Sequence, residues 1–284
     1  MNEPRILIID GNRAATRDQQ LAAGGQPSGE GYLRVLRDIA PISGDIVRPA
    51  DGEVRFPTGT CVADYDGVAM TGSALNIYDG GVHIERQIEL VRTVFDSAVP
   101  FFGSCWGLQV AVTVAGGRVR RNPLGREFGF GRRIELNAAG RQHPMFTGKP
   151  PVFEAITVHR DHVDSLPADA LVLATNEMGV QAVELRHGRG TCWGVQYHPE
   201  YSYAEIAATT LRYGDLLLQE QLFATPAERD AFVDELRSLM RDPHDRRLNW
   251  KHGLGPSMQD ESLKLAELRN WLALQVAPRF RRRR

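Results

Sequence analysis

The segment between residues 99 and 109 reads Val99-Pro-Phe-Phe-Gly-Ser-Cys-Trp-Gly-Leu-Gln109. Its apolar beginning, residues 99–102, is typical of a buried strand, whereas residues 109–115 are typical of a helix that ends at a pair of glycines. Cys105 therefore falls on a sharp turn between a strand and a helix, at the top of a predicted sheet. This strand–turn–helix unit indicates an α/β fold.

The position of Cys105 favours a nucleophile over a buried structural thiol. The first turn of a helix has free N–H groups and a partial positive charge, and both favour a thiolate. Gly103 and Gly107 leave room for the backbone to turn around Cys105. A buried structural cysteine, which is the alternative interpretation, needs none of these features.

A nucleophilic cysteine needs a base, and His198 is the candidate among the 8 histidines. A strand-like run, residues 191–197, precedes His198, and Pro199 ends it because proline cannot donate to a ladder. In an extended segment residues two apart share a side, so Glu200 can accept a hydrogen bond from one ring nitrogen of His198. The other nitrogen is then free to take the thiol proton. The alternative is a structural histidine whose ring is hydrogen-bonded at the end of a strand and has no catalytic role.

The apolar run at residues 6–9, Ile-Leu-Ile-Ile, is typical of a strand that is covered on both faces of a parallel sheet. Such sheets bind ligands at the carboxyl ends of their strands, where Cys105, Gly72 and His198 all fall. The predicted strands are 5–10, 45–48, 67–71, 100–103, 171–175, 181–185 and 192–197, and the predicted helices are 30–39, 81–97, 106–115 and 203–219.

Residues 12–31 contain several glycines and a proline and are predicted to form a loop. The loop is long for a connection between a strand and a helix. It is either a lid or partner contact, or a plain surface insertion.

Composition indicates an ordinary globular enzyme without special partners. The 284 residues are 42% hydrophobic with a net charge of −1, so nucleic acid and membranes are not expected partners. Three cysteines argue against a disulfide framework, and no apolar run is long enough to span a bilayer. The first residues, from Met1 onward, lack the pattern of a signal peptide, and we expect a cytoplasmic protein. His159 and His162 have no cysteine or carboxylate beside them in a metal-binding pattern, so no metal or cofactor is predicted.

The chain is predicted to divide into a domain over residues 1–220 and a helical C-terminal extension over residues 221–284. A capping box with proline at the first helical position, residues 225–228, opens a helix to about Arg241. A second amphipathic helix is predicted from residue 257 to 276. These helices pack on the main domain, on a second copy or on a partner. The basic tail, residues 279–284, is expected to be solvated.

Five segments resemble, in order, those of the class I (triad-type) glutamine amidotransferases, and the resemblance covers about residues 4–215. The Thr-Gly-Ser loop at 71–73, with Tyr78-Asp79 behind it, is most similar to free-standing members, which resemble the glutaminase half of GMP synthetase, and to plant γ-glutamyl peptidases. The segments are Val-Ala-Met-Thr-Gly-Ser (68–73), Gly-Ser-Cys-Trp-Gly-Leu-Gln (103–109), Glu-Phe-Gly-Phe (127–130), His-Arg-Asp-His-Val (159–163, with Leu-Pro at 166–167) and Trp-Gly-Val-Gln-Tyr-His-Pro-Glu (193–200).

The resemblance implies a flavodoxin-like three-layer α/β sandwich with a mostly parallel central sheet. It implies that the Cys105 thiolate attacks the side-chain amide of glutamine or of another γ-glutamyl compound. A γ-glutamyl thioester forms, ammonia or an amine departs, and water releases glutamate, with His198 moving the protons and Glu200 behind it.

The same resemblance implies the remaining site residues. An oxyanion hole would come from backbone N–H groups at Trp106 and at the Gly72-Ser73 turn. Gln109 lies one helical turn after Cys105 and either contacts the amino-acid head of the substrate or is an ordinary polar residue. Asp161 belongs to the segment that presents backbone groups to that head.

Two departures from the family pattern bear on the substrate. Arg160 stands where the family has a glycine, and its side chain either narrows the site or meets a carboxylate of the substrate. The oxyanion loop also lacks the usual Gly-Gly-Pro or Pro-Gly-Pro. Both departures weaken the case for free glutamine as the preferred donor.

Three functions remain open at this point. The first is a free-standing amidotransferase-type hydrolase of γ-glutamyl compounds, which the Thr-Gly-Ser loop favours. The second is a glutaminase subunit that supplies ammonia to a separate synthetase. The third is a regulatory or binding module without catalysis. The candidate partners are a separate synthetase and a second copy of the chain, besides the glutamine or γ-glutamyl substrate.

Overall fold

The computed structural model describes residues 3–283 and has a central sheet with helices on both faces. The strands are β1 (Arg5–Ile9), β2 (Ser43–Val47), β3 (Gly67–Met70), β4 (Phe101–Ser104), β5 (Arg118–Arg121), β6 (Gly129–Leu136), β7 (Val152–Thr157), β8 (Asp161–Ser165), β9 (Leu171–Asn176), β10 (Gly179–His187) and β11 (Gly190–Val195). The helices are α1 (Ala14–Ala22), α2 (Ser28–Ile39), α3 (Val82–Asp96), α4 (Trp106–Val114), α5 (Ala138–Gln142), α6 (Tyr203–Tyr213), α7 (Asp215–Gln219), α8 (Pro226–Arg241), α9 (Arg246–His252), α10 (Pro256–Gln259), α11 (Glu261–Lys264), α12 (Ala266–Trp271) and α13 (Ala277–Arg282), with a π-helical turn at Leu272–Val276.

The central sheet has the strand order β2-β1-β3-β4-β11-β10-β9-β6-β7. The half from β2 to β11 is parallel, and the half from β11 to β7 is antiparallel. The predicted α/β fold class is confirmed, with the sheet mixed because of the antiparallel half. Strands β5 and β8 form a separate pair beside it.

The two faces of the sheet are covered by different helices. Along β1, Ile6 and Ile8 pack into one core with α2 and α12, whereas Leu7 and Ile9 pack into a second core with α3 and α4. This alternation follows from the two-residue period of a strand, and it explains why every residue of the run is apolar. The C-terminal extension therefore supplies part of one helical layer.

The structure corrects several predicted elements. The predicted loop over residues 12–31 contains α1, whose Gln20 amide donates to Thr209 and Glu205 of α6. The helix predicted at 203–219 breaks at Gly214, and the one predicted at 257–276 breaks at Asp260, whose carboxylate caps the next turn by accepting from the Ser262 N–H. Strands β5 to β8 were not predicted, because charged residues interrupt their apolar pattern.

The C-terminal extension packs on the chain's own sheet. Leu268 and Trp271 are fully buried in the core with Ile6 and Ile8. The basic tail is anchored at its start and exposed at residues 281–283: the Arg279 guanidinium donates to the carbonyls of Tyr65 and Ala98, at 3.1 and 3.2 Å. The last residue, Arg284, lies outside the described residues, as do Met1 and Asn2. The predicted boundary at residue 220 falls between α7 and α8 and stays a prediction.

The part of the chain that the structure describes contains no helix with the length and apolar character needed to cross a membrane.

Candidate active site

Cys105 occupies the turn between β4 and α4. Its φ of 51° and ψ of −98° are strained for a residue with a side chain, and such strain is often found where a fold presents a reactive group. The N–H of Cys105 donates to the carbonyl of Val195 at 2.7 Å, which ties the turn to β11. Helix α4 packs so closely on β3 that a Cβ at Gly107 would lie 2.7 Å from the carbonyl oxygen of Met70. The glycine thus allows the helix to begin directly behind the thiol.

His198 and Glu200 follow the end of β11, the strand next to β4. Nδ1 of His198 and Oε1 of Glu200 lie 2.8 Å apart, and the two residues are only 3% and 7% exposed. The N–H of His198 donates to the carbonyl of Ile156 at 2.8 Å, which fixes its backbone. The ring of Tyr201 stacks on the imidazole with centroids 4.1 Å apart. The imidazole is thus held from its edge and from one face.

The charges around His198 favour its protonated form. Burial alone would lower the pKa of His198, but the charge of Glu200 and the hydrogen bond and charge of Cys105 outweigh it and raise the pKa to about 10. Both the thiol and the carboxylate thus act on the charge of the imidazole. This arrangement can stabilise an imidazolium between a thiolate and a carboxylate.

The Gly72-Ser73 peptide faces the same space. The carbonyl oxygen of Gly72 accepts from Thr71 Oγ1 at 2.9 Å and from Asn12 Nδ2 at 3.2 Å. In a trans peptide the N–H of the next residue points the opposite way, so the N–H of Ser73 points away from Asn12 Nδ2 and Thr71 Oγ1. The N–H of Trp106 belongs to the first turn of α4, where helical N–H groups lack an intrahelical partner.

A cavity of about 200 Å³ opens in front of the thiol, and Gly72, Ser73, Cys105 and His198 line it. The three residues that we assigned to substrate binding also line it: Gln109, Arg160 and Asp161.

Gln109 and Asp161 are held in place inside this cavity. Nε2 of Gln109 lies 3.3 Å from Oε1 of Gln196 and 3.5 Å from the carbonyl oxygen of Asp161. The hydroxyl of Tyr78 donates to Oδ1 of Asp161 at 2.9 Å, and burial raises the pKa of the Asp161 carboxyl. Both residues therefore present fixed polar groups to a ligand.

Charged side chains, among them Arg126 and Arg160, form part of the cavity wall. The Arg126 guanidinium contacts both carboxylate oxygens of Glu220, at 2.7 and 3.3 Å, and Nε of Arg160 lies 3.5 Å from the same carboxylate. Burial would raise the pKa of Glu220, but these arginines lower it. The Glu220 carboxylate thus pairs with two guanidinium groups beside the cavity.

Sequence reasoning missed several residues of this cavity. Asn12 holds the Gly72-Ser73 loop, and the signal available was its place just after the carboxyl end of β1. Tyr201 directly follows Glu200 but gave no sign of stacking on His198. Arg126 and Arg212 both lie over the ring of Tyr213, at 4.8 and 4.5 Å from its centroid, and only the folded chain shows this.

Residues 3–283 contain no group of three or more His, Cys, Asp or Glu side chains placed to hold a metal ion.

The sequence profile of the family "Glutamine amidotransferase class-I" matches residues 47–213, which include Gly72, Cys105 and His198. The chain belongs to the class I glutamine amidotransferase family.

Individual relatives agree with this family assignment. The chain is 33% identical over 289 aligned positions to a gamma-glutamyl-L-1-hydroxyisopropylamide hydrolase of Pseudomonas sp, covering 100% of this chain and 97% of that protein. It is 27% identical to gamma-glutamyl peptidase 5 of Arabidopsis thaliana over 73% of this chain and 78% of the peptidase. It is 33% identical over 126 residues to the GMP synthase of Thermosipho africanus, where the match covers 44% of this chain and 22% of the synthase.

A solved structure shows the same fold. The glutamine amidotransferase of Thermotoga maritima superposes with a TM-score of 0.66 at 19% identity, covering 97% of this chain and 99% of that one. The shared architecture therefore extends beyond the segment that the family profile matches.

Proposed function

We propose that this class I glutamine amidotransferase is a cysteine-dependent hydrolase of γ-glutamyl amides. One observation carries the proposal: the Cys105 thiol, at the head of α4, lines the same cavity as the His198 imidazole, whose Nδ1 is hydrogen-bonded to the Glu200 carboxylate. A thiol, a base and a group that orients the base form the constellation of nucleophilic catalysis. A binding module without catalysis needs neither the strained turn nor the buried imidazole–carboxylate pair.

In the first half of the reaction the Cys105 thiolate attacks the γ-amide carbon, and the C–S bond forms as the carbonyl oxygen becomes negative. We assign the stabilisation of that oxygen to the N–H groups of Ser73 and Trp106. The His198 imidazolium then gives its proton to the leaving nitrogen, the C–N bond breaks, and ammonia or an amine departs.

The second half hydrolyses the γ-glutamyl thioester. Neutral His198 takes a proton from water, the resulting hydroxide attacks the thioester carbon, and the C–S bond breaks to release glutamate and the thiolate. Throughout the reaction Nδ1 of His198 donates its hydrogen bond to the Glu200 carboxylate. Nε2 is therefore the ring nitrogen that exchanges protons with the substrate and water.

The polar groups of the cavity suit the head of a γ-glutamyl compound. That head carries an ammonium and a carboxylate, and the cavity presents the Asp161 carboxylate beside the Arg160 guanidinium. We propose that Asp161 and Gln109 receive the ammonium side and that Arg160 meets the carboxylate. The similarity over the full chain to a hydrolase of a γ-glutamyl amide supports an amide of a small amine as the substrate.

A second candidate is a glutaminase subunit that supplies ammonia to a separate synthetase. The similarity to GMP synthase favours it: the match covers only 22% of that enzyme, so a synthetase activity would have to come from a separate chain. Such a subunit is expected to hydrolyse glutamine weakly alone and to gain activity with its partner. A free-standing hydrolase is expected to be fully active alone and to prefer substituted amides.

The decisive experiment is intact-protein mass spectrometry after mixing with glutamine and with γ-glutamyl amides of small amines. A γ-glutamyl adduct on Cys105 and release of glutamate are expected in the wild type. Cys105→Ala should lose both and keep its fold, whereas Cys61→Ala, at an exposed cysteine, should keep both. Turnover by Cys105→Ala would overturn the proposal.

A further inference from the structure

Two polar contacts from the C-terminal extension reach the residues on either side of the His198–Glu200 pair. The first involves Tyr197, which directly precedes His198. Its hydroxyl donates to Oε1 of Glu267 at 2.5 Å, and both side chains are fully buried. Glu267 belongs to α12 and also pairs with Lys149 at 3.0 Å.

The second contact reaches Tyr201, directly after Glu200. Nζ of Lys264, at the end of α11, donates to the carbonyl oxygen of Tyr201 at 3.2 Å. The ring of Tyr201 is the one that stacks on His198. The Lys264 ammonium therefore holds the backbone of the residue that covers one face of the imidazole.

Lys264 also lies within the electrostatic field of Glu200. Burial lowers the pKa of Lys264, and the charges of Glu261 and Glu200 oppose that shift. Oε1 of Glu200 is bonded to His198, but Oε2 is buried without a hydrogen-bond partner among residues 3–283.

Lys149 fixes the position from which Lys264 extends. Its Nζ donates to the carbonyls of Leu263 and Lys264, at 2.9 and 3.4 Å, as well as to Glu267 at 3.1 Å. The ammonium of Lys149 thus joins the end of α11 to the carboxylate that holds Tyr197. The contact of Glu267 with Tyr197 and the contact of Lys264 with Tyr201 are therefore joined in one hydrogen-bond network.

Docking of the extension does not require this network. Leu268, Trp271 and Val276 bury the extension in the hydrophobic core with the sheet. A buried ion pair such as Lys149–Glu267 adds little net stability over well-packed apolar side chains, because both charges lose their hydration. The charged groups are therefore better explained by what they hold, which is the segment that contains His198.

We propose that Lys264 and Glu267 are positioning residues for the reaction, so that the C-terminal extension completes the active site. Glu267 holds residue 197 and Lys264 holds residue 201, and together they fix the segment between them. The inference rests on the proposed triad chemistry, because its effect is exerted through His198.

Steady-state hydrolysis of a γ-glutamyl amide tests the role of Lys264. Lys264→Met keeps the aliphatic stem but loses the ammonium, and kcat is expected to fall about tenfold while KM changes less than about twofold. Lys264→Arg, which keeps a donor and a charge, should recover most of kcat. Lys251→Met is the matched control, because Lys251 lies in the same extension but pairs with Glu235 on the surface.

A second measurement does not depend on turnover. Peptide-resolved mass spectrometry gives the rate at which iodoacetamide alkylates Cys105, and this rate should fall in Lys264→Met and in Tyr197→Phe, which loses only the hydroxyl bond to Glu267. Wild-type kcat and wild-type alkylation rates in both variants would overturn the inference, even if their thermal stability fell. If the wild type showed no γ-glutamyl hydrolysis, the proposed function would fail and the alkylation rates would still decide the inference.

Discussion

The imidazole of His198 lies directly on the Cα of Gly72, so close that a Cβ at Gly72 would lie 2.4 Å from Cε1 of the ring. The absence of a side chain at this position therefore sets how near the imidazole lies to the Gly72-Ser73 peptide.

The contact predicts the effect of Gly72→Ala. The added methyl group must displace the buried ring, and a displacement of about 1 Å in a catalytic group reduces kcat by about 100-fold. Initial rates of γ-glutamyl hydrolysis measure the loss. Gly52→Ala is the control, because a Cβ at Gly52 meets no atom within 4 Å. Equal activities of the two variants would contradict the assigned position of His198.

The raised pKa of His198 predicts how stability depends on pH. The charges of Glu200 and Cys105 outweigh burial and raise the pKa to about 10, above the value of about 6.5 in an unfolded chain. The resulting stabilisation is complete below the unfolded value and is lost as the pH rises toward 10. The free energy of unfolding of the wild type should therefore fall across this window more steeply than that of Cys105→Ala.

Urea denaturation at successive pH values across that window measures the two slopes. Cys61→Ala removes an exposed thiol and is expected to follow the wild type. Parallel curves for Cys105→Ala and the wild type would show that the thiol does not contribute to the raised pKa of His198.

The contacts of Asn12 allow a test of the proposed oxyanion role of the Gly72-Ser73 loop. Its Nδ2 donates to the carbonyl of Gly72 at 3.2 Å, and its Oδ1 accepts from the N–H of Ala74 at 3.1 Å. In Asn12→Asp an oxygen replaces that donor and faces the carbonyl, so the peptide should turn and kcat/KM should fall about tenfold, less than the loss of an oxyanion donor.

Asn137→Asp is a matched control for Asn12→Asp. Asn137 also bridges an N–H and a carbonyl, since its Oδ1 accepts from Gly140 at 2.8 Å and its Nδ2 donates to Val172 at 2.7 Å. It does not line the cavity. A similar loss of kcat/KM in both variants would attribute the effect to general destabilisation.

The sequence predicts the residues whose roles depend on local pattern. Apolar runs in the sequence mark the strands that precede Cys105 and His198. Because parallel sheets bind ligands at the carboxyl ends of their strands, the sequence predicts that both residues lie at that edge of the sheet. Lys264 and Tyr201 are 63 residues apart, and no periodicity reports that the one reaches the carbonyl of the other. The sequence does not predict helix α1, because the helix lacks an apolar stripe. It packs on α6 through a polar contact, in which the Gln20 amide donates to the Thr209 hydroxyl.

Arg160 predicts a change in substrate affinity. If its guanidinium meets the carboxylate of the substrate, Arg160→Ala should raise KM about tenfold and leave kcat within about twofold, because a hydrogen bond to a charged group contributes about 1.5–3 kcal/mol. Steady-state kinetics separate the two constants. Arg120→Ala removes an exposed arginine that pairs with Asp164 and should leave both unchanged. A fall in kcat alone would place Arg160 away from the substrate's head.

Truncation of two tryptophans in the C-terminal extension is expected to change stability by very different amounts. Trp271 is 0% exposed and packs beside Phe102 with ring centroids 5.9 Å apart, whereas Trp250 is 90% exposed. Trp271→Ala removes the largest side chain that joins the extension to the sheet, and truncation of a buried tryptophan costs about 3–5 kcal/mol of unfolding free energy.

Trp250→Ala should change the free energy of unfolding by less than about 0.5 kcal/mol, because a surface residue loses few contacts. Urea titrations of both variants at one pH measure the difference. Equal, small changes would mean that the extension is not part of the cooperative core. A large loss for Trp271→Ala with an unchanged slope against urea would show that the extension and the sheet unfold together, since that slope follows the surface exposed on unfolding.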